Sequence, residues 1–233
     1  MTMIKTRDDV TVELINSMAS DEAVVMAARV STGAKVGDDP VRNAGLINYL
    51  MRDRHGSPFE HNAFTFYIEA PIFVFREFMR HRIASYNEES GRYKQLEPVF
   101  YVPAQDRALV QEGKPGAYTF VKGTIDQMSE TRSAATSTGS YAYQRYLRML
   151  EEGVAREVAR MVLPVNIYSS MYVTMNARSL MNFLSLRTIH PYSKVPSFPQ
   201  REIEMVAEKM EEFFAEKMPG TYEAFNNNGR VSP

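Results

Sequence analysis

Cations, hydroxyls and carboxylates are concentrated in one stretch of the chain, residues 76–93. Arg76 and Arg80 are four positions apart, so their guanidinium groups would be neighbours on a helix. Residues 90–92 place a hydroxyl, an unhindered backbone N–H and a forked cation side by side, in the order Ser-Gly-Arg. Arg binds phosphate or carboxylate through two hydrogen bonds, and Gly lets a backbone approach a ligand closely. The stretch therefore predicts an anion-binding site.

The same stretch has purely structural alternatives. A helix that starts at Pro71 would place the basic triplet of residues 80–82 at its end, where cations are favoured without any ligand. Ser85 and Glu88 have the spacing of a capping box, which would start another helix. However, a solvated surface does not need so many charged groups beside so many aromatic residues, and this favours the binding site.

Two further segments carry Arg at positions that suit ligand binding. Arg156 and Arg160 are four apart with Glu157 between them, and a surface ion pair from Glu157 to Arg160 is the structural alternative. Arg187 ends the apolar stripe of a helix predicted over residues 177–187. An inward guanidinium there needs an anion or other acceptors, unless it reaches solvent from the last turn.

The composition narrows the possible chemistry. The chain has no Cys, which excludes disulfides, zinc–thiolate sites and thiol nucleophiles. Its four His residues lack metal-binding spacing, and the sequence has neither a P-loop nor a Gly-x-Gly-x-x-Gly motif. An Arg-rich site with few bases can bind anions and stabilise developing negative charge. Harder chemistry would need a cofactor.

Charge and hydropathy bound the partners and the compartment. A formal net charge of −1 does not support binding of nucleic acid or membranes through bulk charge. The first ten residues are polar and charged, and no apolar run approaches membrane length. We therefore expect no signal peptide, no membrane span and a cytoplasmic protein.

One run of residues resembles the signature of the flavin-dependent thymidylate synthases: Arg80-His81-Arg82-x-x-Ser85-x-Asn87-Glu88-x-Ser90-x-Arg92. The resemblance extends more loosely from about residue 55 to residue 203. It implies methylation of dUMP to dTMP with FAD as cofactor, 5,10-methylenetetrahydrofolate as carbon donor and NADPH as reductant. The unrelated thymidylate synthase uses a Cys nucleophile, so the absence of Cys agrees with the flavin route.

The resemblance also implies which residues bind and react. The residues that match FAD contacts are Ser57, Arg80, His81, Arg82, Ile83, Glu88, Asn176, Arg178 and Asn182. Those that match nucleotide contacts are Glu77, Arg80, Glu89, Ser90, Gly91, Arg92, Arg160 and Arg187. Arg187 matches the residue thought to favour the ionised pyrimidine N3, so it is the catalytic candidate. Ser90 is interpreted as a phosphate or sugar contact, and no metal is expected.

These residues must be positioned by a mixture of strands and helices. Alternation and β-branched residues predict strands over residues 10–15, 64–70, 99–102 and 167–175. Helical spacing predicts helices over residues 21–30, 41–54, 154–163, 177–187 and 200–218, and over 118–152 with a break at 133–140. Loops are predicted over residues 32–40, 55–61 and 104–116, and the loop over 188–199 is longer than in the family.

The resemblance implies an α+β fold with a central antiparallel sheet flanked by helices. We expect a single domain over residues 1–233, a mobile tail over 220–233, and a homotetramer whose sites are shared between subunits. Two alternatives come from other classes of protein. One is a flavin- and nucleotide-binding protein without synthase activity. The other is a nucleic-acid-binding module, which would bind polymers with a strong dependence on salt.

Overall fold

The computed structural model describes residues 3–33, 39–114 and 117–233. Its strands are β1 (Lys5–Arg7), β2 (Thr11–Met18), β3 (Ala63–Pro71), β4 (Ser85–Glu88), β5 (Val99–Tyr101), β6 (Ala108–Lys114), β7 (Ala117–Lys122) and β8 (Tyr168–Asn176). Its helices are α1 (Asp21–Val30), α2 (Pro40–Arg52), α3 (Ser57–Glu60), α4 (Ile72–Phe78), α5 (Ile125–Glu151), α6 (Arg156–Ala159), α7 (Ala177–Arg187), α8 (Arg201–Lys217) and α9 (Pro219–Asn227). A short 3₁₀ helix, Arg160–Val162, follows α6 directly.

The central sheet has four strands in the order β2-β3-β8-β4. It is antiparallel, and the hydroxyls of Thr65 and Thr174 form a hydrogen bond of 2.9 Å between β3 and β8. Outside this sheet, β1 pairs in parallel with β5, and β6 pairs antiparallel with β7. The predicted combination of helices with a central antiparallel sheet is thereby confirmed.

The chain divides into two compact units, and each unit is assembled from three segments. The first unit consists of Met1–Val10, Glu69–Phe78 and Glu88–Met171. The second unit consists of Thr11–Ile68, Met79–Asn87 and Tyr172–Pro233. The strands β3 and β8 each contribute residues to both units. A single domain over residues 1–233 stays a prediction.

The core of the second unit includes the strand that the alternating pattern predicts. Phe64, Phe66 and Ile68 occupy every second position of β3 and are fully buried, because successive side chains of a strand point to opposite faces. The ring of Phe64 packs edge-on against that of Phe214 in α8, with 6.2 Å between the ring centroids. The apolar face of this strand therefore lies against the apolar stripe of a helix, as the sequence indicates.

Two helices of the second unit begin at the residues that the sequence predicts. Ser20 precedes α1, and its side chain accepts a hydrogen bond from the N–H of Ala23 at 3.1 Å. Asn176 precedes α7, and its side chain accepts one from the N–H of Ser179 at 2.8 Å. Both contacts satisfy backbone donors that a helix start leaves unpaired.

In the first unit, the long helix α5 runs without the break predicted at residues 133–140. The hydroxyls of Thr131 and Thr136 donate to carbonyls four residues earlier, each at 2.8 Å, so these residues remain compatible with the helix. Gly139 contributes to packing, because a Cβ added there would lie 2.9 Å from the ring of Phe100. Phe100 belongs to a buried cluster completed by Leu96, Tyr143, Tyr146, Ala159 and Ile167.

The stretch that includes residues 76–93 is less helical than predicted. Helix α4 starts at Ile72, so Pro71 is the last residue of β3 instead of the first turn of the helix. Because α4 ends at Phe78, Arg76 and Arg80 do not share a helix face. Residues 85–88 form strand β4 instead of a capping box, because their backbone groups belong to the ladder of the central sheet.

Three other segments differ from the predicted loops and helices. Residues 108–114 and 117–122 form the antiparallel strands β6 and β7, where an irregular loop and the start of a helix were predicted. The long helix α5 therefore begins only at Ile125, after a capping box formed by Thr124 and Gln127. The turn-rich segment over residues 55–61 contains the short helix α3. Residues 34–38 and 115–116 of the predicted loops lie outside the described residues.

The chain after Gly220 forms part of α9 and packs within the second unit, where the sequence predicted a mobile tail. Phe225 of α9 is fully buried, and the guanidinium of Arg230 is fully buried as well. Arg230 forms two hydrogen bonds to the carboxylate of Glu211, at 2.6 and 2.8 Å, and donates to the hydroxyl of Thr188 at 2.9 Å. The last residues are thus connected to both α8 and the loop over residues 188–199.

Candidate active site

The predicted nucleotide-binding residues that follow β4 lie in the first unit, and Glu89 comes first. Its backbone N–H donates to the carbonyl of Ser170 at 2.8 Å, and its Oε2 accepts from the Ser170 hydroxyl at 3.1 Å. Its Oε1 lies 2.8 Å from Nζ of Lys94. The contacts with Ser170 hold Glu89, the first residue after β4, against strand β8. Glu77, a further predicted nucleotide contact, lies half-buried on α4 in the same unit.

The structure brings Ser90, Gly91 and Arg160 together. Gly91 is buried, and a Cβ added there would lie 3.2 Å from Cδ of Arg160, so the absence of a side chain permits this close approach. The hydroxyl of Ser90 accepts a hydrogen bond from the N–H of Arg92 at 3.3 Å. The Ser90 hydroxyl and the cations of Arg92 and Arg160 are therefore neighbours within the first unit. Up to 70 residues separate them in the sequence.

Arg92 has a partner that local sequence did not indicate. Its Nε lies 3.1 Å from Oε2 of Glu157, and both side chains are about half exposed. The alternative interpretation paired Glu157 with Arg160 along one helix, and the structure instead pairs Glu157 with Arg92. Since Arg92 can bind a phosphate bidentately, an arriving nucleotide phosphate would compete with this carboxylate.

Glu88 lies among the same charges in the first unit. Burial raises the pKa of its carboxyl, and the negative charge of Glu89 also raises that pKa. The Ser169 hydroxyl and the cations of Arg76 and Arg160 act in the opposite direction and lower it. Glu88 was predicted as an FAD contact, and the structure places it beside Arg160, a predicted nucleotide contact.

The basic triplet and the residue after it lie in the second unit, on the turn that links α4 to β4. The side chains of Arg80, Arg82 and Ile83 are exposed, and Ile83 exposes 76% of its surface. A run with two exposed cations and an exposed branched apolar side chain offers both charge and apolar contact to a ligand. His81, between the two cations, points differently and is half-buried.

His81 contacts the catalytic candidate. Nε of Arg187 donates a hydrogen bond to Nε2 of His81 at 3.0 Å. The His81 ring also packs edge-on against Phe183, with 4.9 Å between centroids. Burial and the charge of Arg187 lower the pKa of His81 from 6.5 to about 4, so the imidazole is neutral at physiological pH. Arg187 is therefore half-buried and contacts His81 from the last turn of α7, and its orientation toward a ligand stays a prediction.

Arg178, a predicted FAD contact, lies on the exposed side of α7. Its Nη1 lies 2.5 Å from Oε1 of Glu60, and its Nε donates to the carbonyl of Pro233 at 2.5 Å. A Cβ added to Gly56 would lie 2.6 Å from that Nε, so Arg178 packs directly against the segment that precedes α3. The predicted FAD contact Ser57 is exposed and is the next residue of this segment.

The remaining predicted FAD residues are placed by α7 itself. Asn176 has its side-chain oxygen engaged as the cap of this helix. Asn182 is exposed, and it is one helical turn beyond Arg178, so the two share a face. Thus Arg178 and Asn182 share the exposed face of α7, and Arg178 packs against Gly56, the residue before Ser57, while Arg187 contacts His81.

Sequence reasoning missed three residues of these clusters. The sequence does not reveal the close packing of Gly56, because Gly in a turn-rich segment ordinarily marks a turn. Glu60 and Glu157 are ordinary charged residues in the sequence. Glu60 contacts Arg178, which is 118 residues away along the chain, and Glu157 contacts Arg92, which is 65 residues away. No local spacing could have indicated either pair.

The described residues, 3–33, 39–114 and 117–233, contain neither a candidate metal site nor a membrane-spanning helix. No group of three or more His, Asp or Glu residues there could hold a metal ion. Within the same ranges, no helix is long and apolar enough to cross a membrane.

Known proteins resemble this chain over nearly its whole length. The profile of the family described as "Thymidylate synthase complementing protein" matches residues 13–220. A flavin-dependent thymidylate synthase from Streptomyces avermitilis is 64% identical over 233 residues, which cover 97% of this chain and 95% of the relative. One from Streptomyces coelicolor is 62% identical, and the match covers 99% of this chain and 96% of the relative. The chain belongs to the flavin-dependent thymidylate synthase family.

Solved structures agree with membership of the flavin-dependent thymidylate synthase family. The crystal structure of a UMP/dUMP methylase, PolB, from Streptomyces cacaoi bound with 5-Br dUMP has a TM-score of 0.93 and 54% identity, and the match covers 99% of this chain and 100% of that chain. The same methylase bound with 5-Br UMP has a TM-score of 0.91 and 55% identity, with 99% of each chain covered. The predicted family and enzyme class are therefore confirmed: this chain is a flavin-dependent thymidylate synthase by family.

Proposed function

We propose that this enzyme methylates dUMP to dTMP, using FAD, 5,10-methylenetetrahydrofolate and NADPH. The methylene carbon of the folate forms a bond to C5 of the pyrimidine, and the C5 proton is lost. A hydride completes the new methyl group, and the C5 proton together with one further proton ends on the two folate nitrogens, so the reaction consumes NADPH and a proton and releases tetrahydrofolate and NADP⁺. The single observation that best supports this proposal is the grouping of Ser90, Gly91, Arg92 and Arg160 within the first unit.

This grouping suits the phosphate of a nucleotide. Arg92 and Arg160 supply cations, and the Ser90 hydroxyl supplies a further polar contact. Ser90 is a poor nucleophile in this setting, because the hydrogen bond that involves its Oγ comes from the N–H of Arg92 and no general base is part of that contact. Ser90, Gly91, Arg92 and Arg160 are therefore assigned to binding, together with Glu77, Arg80 and Glu89.

The second unit carries residues that fit FAD. The exposed cations Arg80, Arg82 and Arg178 are suited to an anionic dinucleotide, and the absence of a side chain at Gly56 permits the close approach of Arg178. The proposed FAD contacts are Ser57, Arg80, His81, Arg82, Ile83, Glu88, Asn176, Arg178 and Asn182. When bound, FAD supplies the hydride chemistry that these residues lack. Glu88 is the weakest of them, because it lies beside Arg160 among the proposed nucleotide contacts.

Arg187 is the proposed catalytic residue. Its guanidinium lies at the end of α7, where it is half-buried. A preorganised cation in such a position stabilises negative charge that develops on the pyrimidine ring. In this role Arg187 would help to activate the pyrimidine without a Cys nucleophile, which the chain does not have.

The test is dTMP formation by the purified protein with FAD, NADPH, the methylene folate and dUMP. We expect a yellow protein that forms dTMP only when all four are present. A protein that binds flavin and dUMP but forms no dTMP would instead support the alternative without synthase activity. UMP should replace dUMP in a parallel reaction, because the similar PolB is named a UMP/dUMP methylase. Binding of RNA or DNA with a strong salt dependence would favour the nucleic-acid-binding alternative.

We also propose the homotetramer with shared sites. Four exposed apolar residues lie on both sides of Arg160 in the sequence: Val158, Met161, Val162 and Val165, with exposed fractions of 44, 75, 43 and 48%. Such a concentration of apolar surface is typical of a face that another protein surface covers. Sedimentation of the purified protein should show a tetramer, and a monomer at micromolar concentration would contradict this part of the proposal.

A further inference from the structure

Both parts of the proposed nucleotide-binding grouping adjoin one buried cluster in the first unit. Leu96 closely follows the turn over residues 90–93, which is the first part. Ala159 immediately precedes Arg160, which is the second part. Leu96 and Ala159 are both buried, and they belong to the same cluster as Tyr143 of α5. Helix α5 therefore contributes to the packing of both parts.

The hydroxyl of Tyr143 is hydrogen-bonded both as a donor and as an acceptor. It donates to the backbone carbonyl of Leu96 at 2.8 Å, and it accepts from the side-chain amide of Gln95 at 3.1 Å. Tyr143 exposes only 1% of its surface, and burial raises the pKa of its hydroxyl, which therefore stays protonated and able to donate. One buried hydroxyl thus fixes two consecutive residues that lie 47 and 48 positions away along the chain.

Leu96 in turn packs against Gly91. A Cβ added to Gly91 would lie 3.2 Å from Cδ1 of Leu96 and 3.2 Å from Cδ of Arg160, so the Gly91 backbone closely approaches both side chains. The turn itself is compact, because the N–H of Tyr93 donates to the carbonyl of Ser90 at 3.0 Å. Since close-packed groups transmit displacements to their neighbours, a shift of Leu96 would move the turn relative to Arg160.

We infer that Tyr143 is a positioning residue for the nucleotide: its hydroxyl fixes Leu96, and Leu96 holds Gly91 against Arg160. The inference deepens the proposed function and rests on it, because it takes Gly91 and Arg160 as nucleotide contacts. Tyr143 is buried within the cluster and acts only through the turn. Loss of its hydroxyl should therefore weaken nucleotide binding and leave the chemical step and FAD binding unchanged.

Tyr146 provides a matched control on the same helix. It lies three residues after Tyr143 and is fully buried, and the two rings are in contact, with 5.6 Å between their centroids. Within residues 3–33, 39–114 and 117–233, the Tyr146 hydroxyl has no hydrogen-bond partner. Tyr146→Phe therefore removes a buried hydroxyl from the same cluster without breaking a hydrogen bond.

Tyr143→Phe is the principal test, because it removes the hydroxyl and keeps the ring. In the FAD-bound enzyme, the dissociation constant of dUMP should rise about fivefold to fiftyfold, as expected for a binding group that loses its hydrogen-bonded support. The KM of dUMP should rise in parallel, while kcat at saturating dUMP and the dissociation constant of FAD should stay within about twofold of wild type. Tyr146→Phe should leave all four quantities within about twofold of wild type.

Gln95→Ala tests the same hydroxyl from an exposed position, so it replaces Tyr143→Phe if that variant fails to fold. It removes only one of the two hydrogen bonds, and the dissociation constant of dUMP should rise about twofold to fivefold.

An unchanged affinity for dUMP in folded Tyr143→Phe would overturn the inference, because Tyr143 would then only stabilise the core. If Tyr143→Phe does not fold, an unchanged affinity in Gln95→Ala overturns it instead. Equal losses of affinity in Tyr143→Phe and Tyr146→Phe would also overturn it, because the loss would then come from the cluster as a whole and not from the hydrogen bonds of Tyr143.

Failure of the proposed function gives a different result. Arg160→Ala should weaken dUMP binding about tenfold or more, because it removes a cation from the proposed phosphate contacts. If Arg160→Ala binds dUMP as tightly as wild type, the proposed nucleotide-binding grouping is wrong, whatever the result at Tyr143. If Arg160→Ala weakens binding and Tyr143→Phe does not, only the positioning role of Tyr143 fails.

Discussion

At the scale of single residues, Arg187 and Arg178 of α7 contact different residues. The Arg187 guanidinium is half-buried and bonded to a neutral ring, while Arg178 is exposed and contacts a carboxylate. Both side chains extend from α7, and they lie on different faces of that helix. The two roles proposed for this helix, ring activation and flavin binding, should therefore be separable by substitution.

Arg187→Ala should be a severely damaging change for catalysis. Removal of a preorganised donor to developing negative charge costs on the order of a hundredfold or more in rate. Arg187→Lys should also be poor, because Lys retains the charge but has neither the planar fork nor the Nε donor that contacts His81. The measurement is dUMP-dependent oxidation of reduced flavin with folate present. FAD should remain bound in both variants, and near-normal turnover of Arg187→Ala would remove it from the catalytic assignment.

The lowered pKa of His81 predicts a pH dependence of stability. The pKa falls from 6.5 to about 4 on folding, so the unfolded chain binds a proton at His81 between these values and the folded protein does not. The free energy of unfolding should therefore decrease as pH falls from about 6.5 to about 4. The whole shift corresponds to roughly 3 kcal/mol, and solvent screening of the partly exposed ring reduces the expected effect to about 1–2 kcal/mol.

The control for this pH effect is His81→Gln, which has no titrating ring. Urea unfolding of both proteins at several pH values should show that the wild type loses about 1–2 kcal/mol more stability than His81→Gln between pH 7 and pH 4. Equal losses in both proteins across this range would show that the acidic loss of stability comes from other groups.

At the scale of elements, α5 shows how one Gly can stabilise a helix through packing. Gly139 allows the ring of Phe100 to approach the helix backbone, and the hydroxyls of Thr131 and Thr136 bond within the helix. Without these contacts, residues 133–140 would be expected to weaken the helix, because Gly and Ser have low helix propensity. The contact of Gly139 with Phe100 of β5 is a tertiary feature of α5 that its local sequence does not show.

Two Gly→Ala substitutions should change stability in opposite directions. In Gly139→Ala, the new Cβ would lie 2.9 Å from the ring of Phe100, so we expect a loss of about 1–3 kcal/mol. In Gly45→Ala, at an exposed position of α2, the new Cβ meets nothing within 4 Å, and the gain in helix propensity should stabilise by about 0.5–1 kcal/mol. Urea denaturation measures both. Equal effects would show that Phe100 repacks at little cost.

At the scale of the whole molecule, the packing of the final segment extends through the second unit. Arg230 is fully buried and bonded to Glu211 of α8 and to Thr188 at the start of the loop over residues 188–199. The N–H of Lys194 in this loop also donates to the carbonyl of Gly229 at 2.9 Å. The loop over residues 188–199 and the final residues therefore support each other.

Arg230→Leu should destabilise the second unit by about 3–5 kcal/mol, because it leaves the Glu211 carboxylate without its buried partner. The double variant Arg230→Leu/Glu211→Leu removes both charges, so it should recover part of that loss. Thermal or urea unfolding of the wild type and the two variants is the measurement. If the double variant were no more stable than Arg230→Leu, the loss would come from packing and not from the unpaired charge.

The sequence by itself determined the family, the positions of the well-capped helices and the apolar face of the central strand. These features depend on local chemistry: Ser20 and Asn176 cap helices through residues three positions away, and β3 alternates at every second residue. The signature residues 80–92 identify the family because residue types at fixed spacing are visible without any fold.

Only the tertiary structure decided what those residues contact. Nothing local indicates that His81 meets Arg187 across 106 residues, or that Glu157 meets Arg92. Residues 85–88 have the spacing of a capping box, yet they form a strand because the backbone hydrogen bonds of the central sheet prevail over that local signal. Contacts between residues distant in sequence follow from packing and the satisfaction of buried polar groups, which depend on the whole fold.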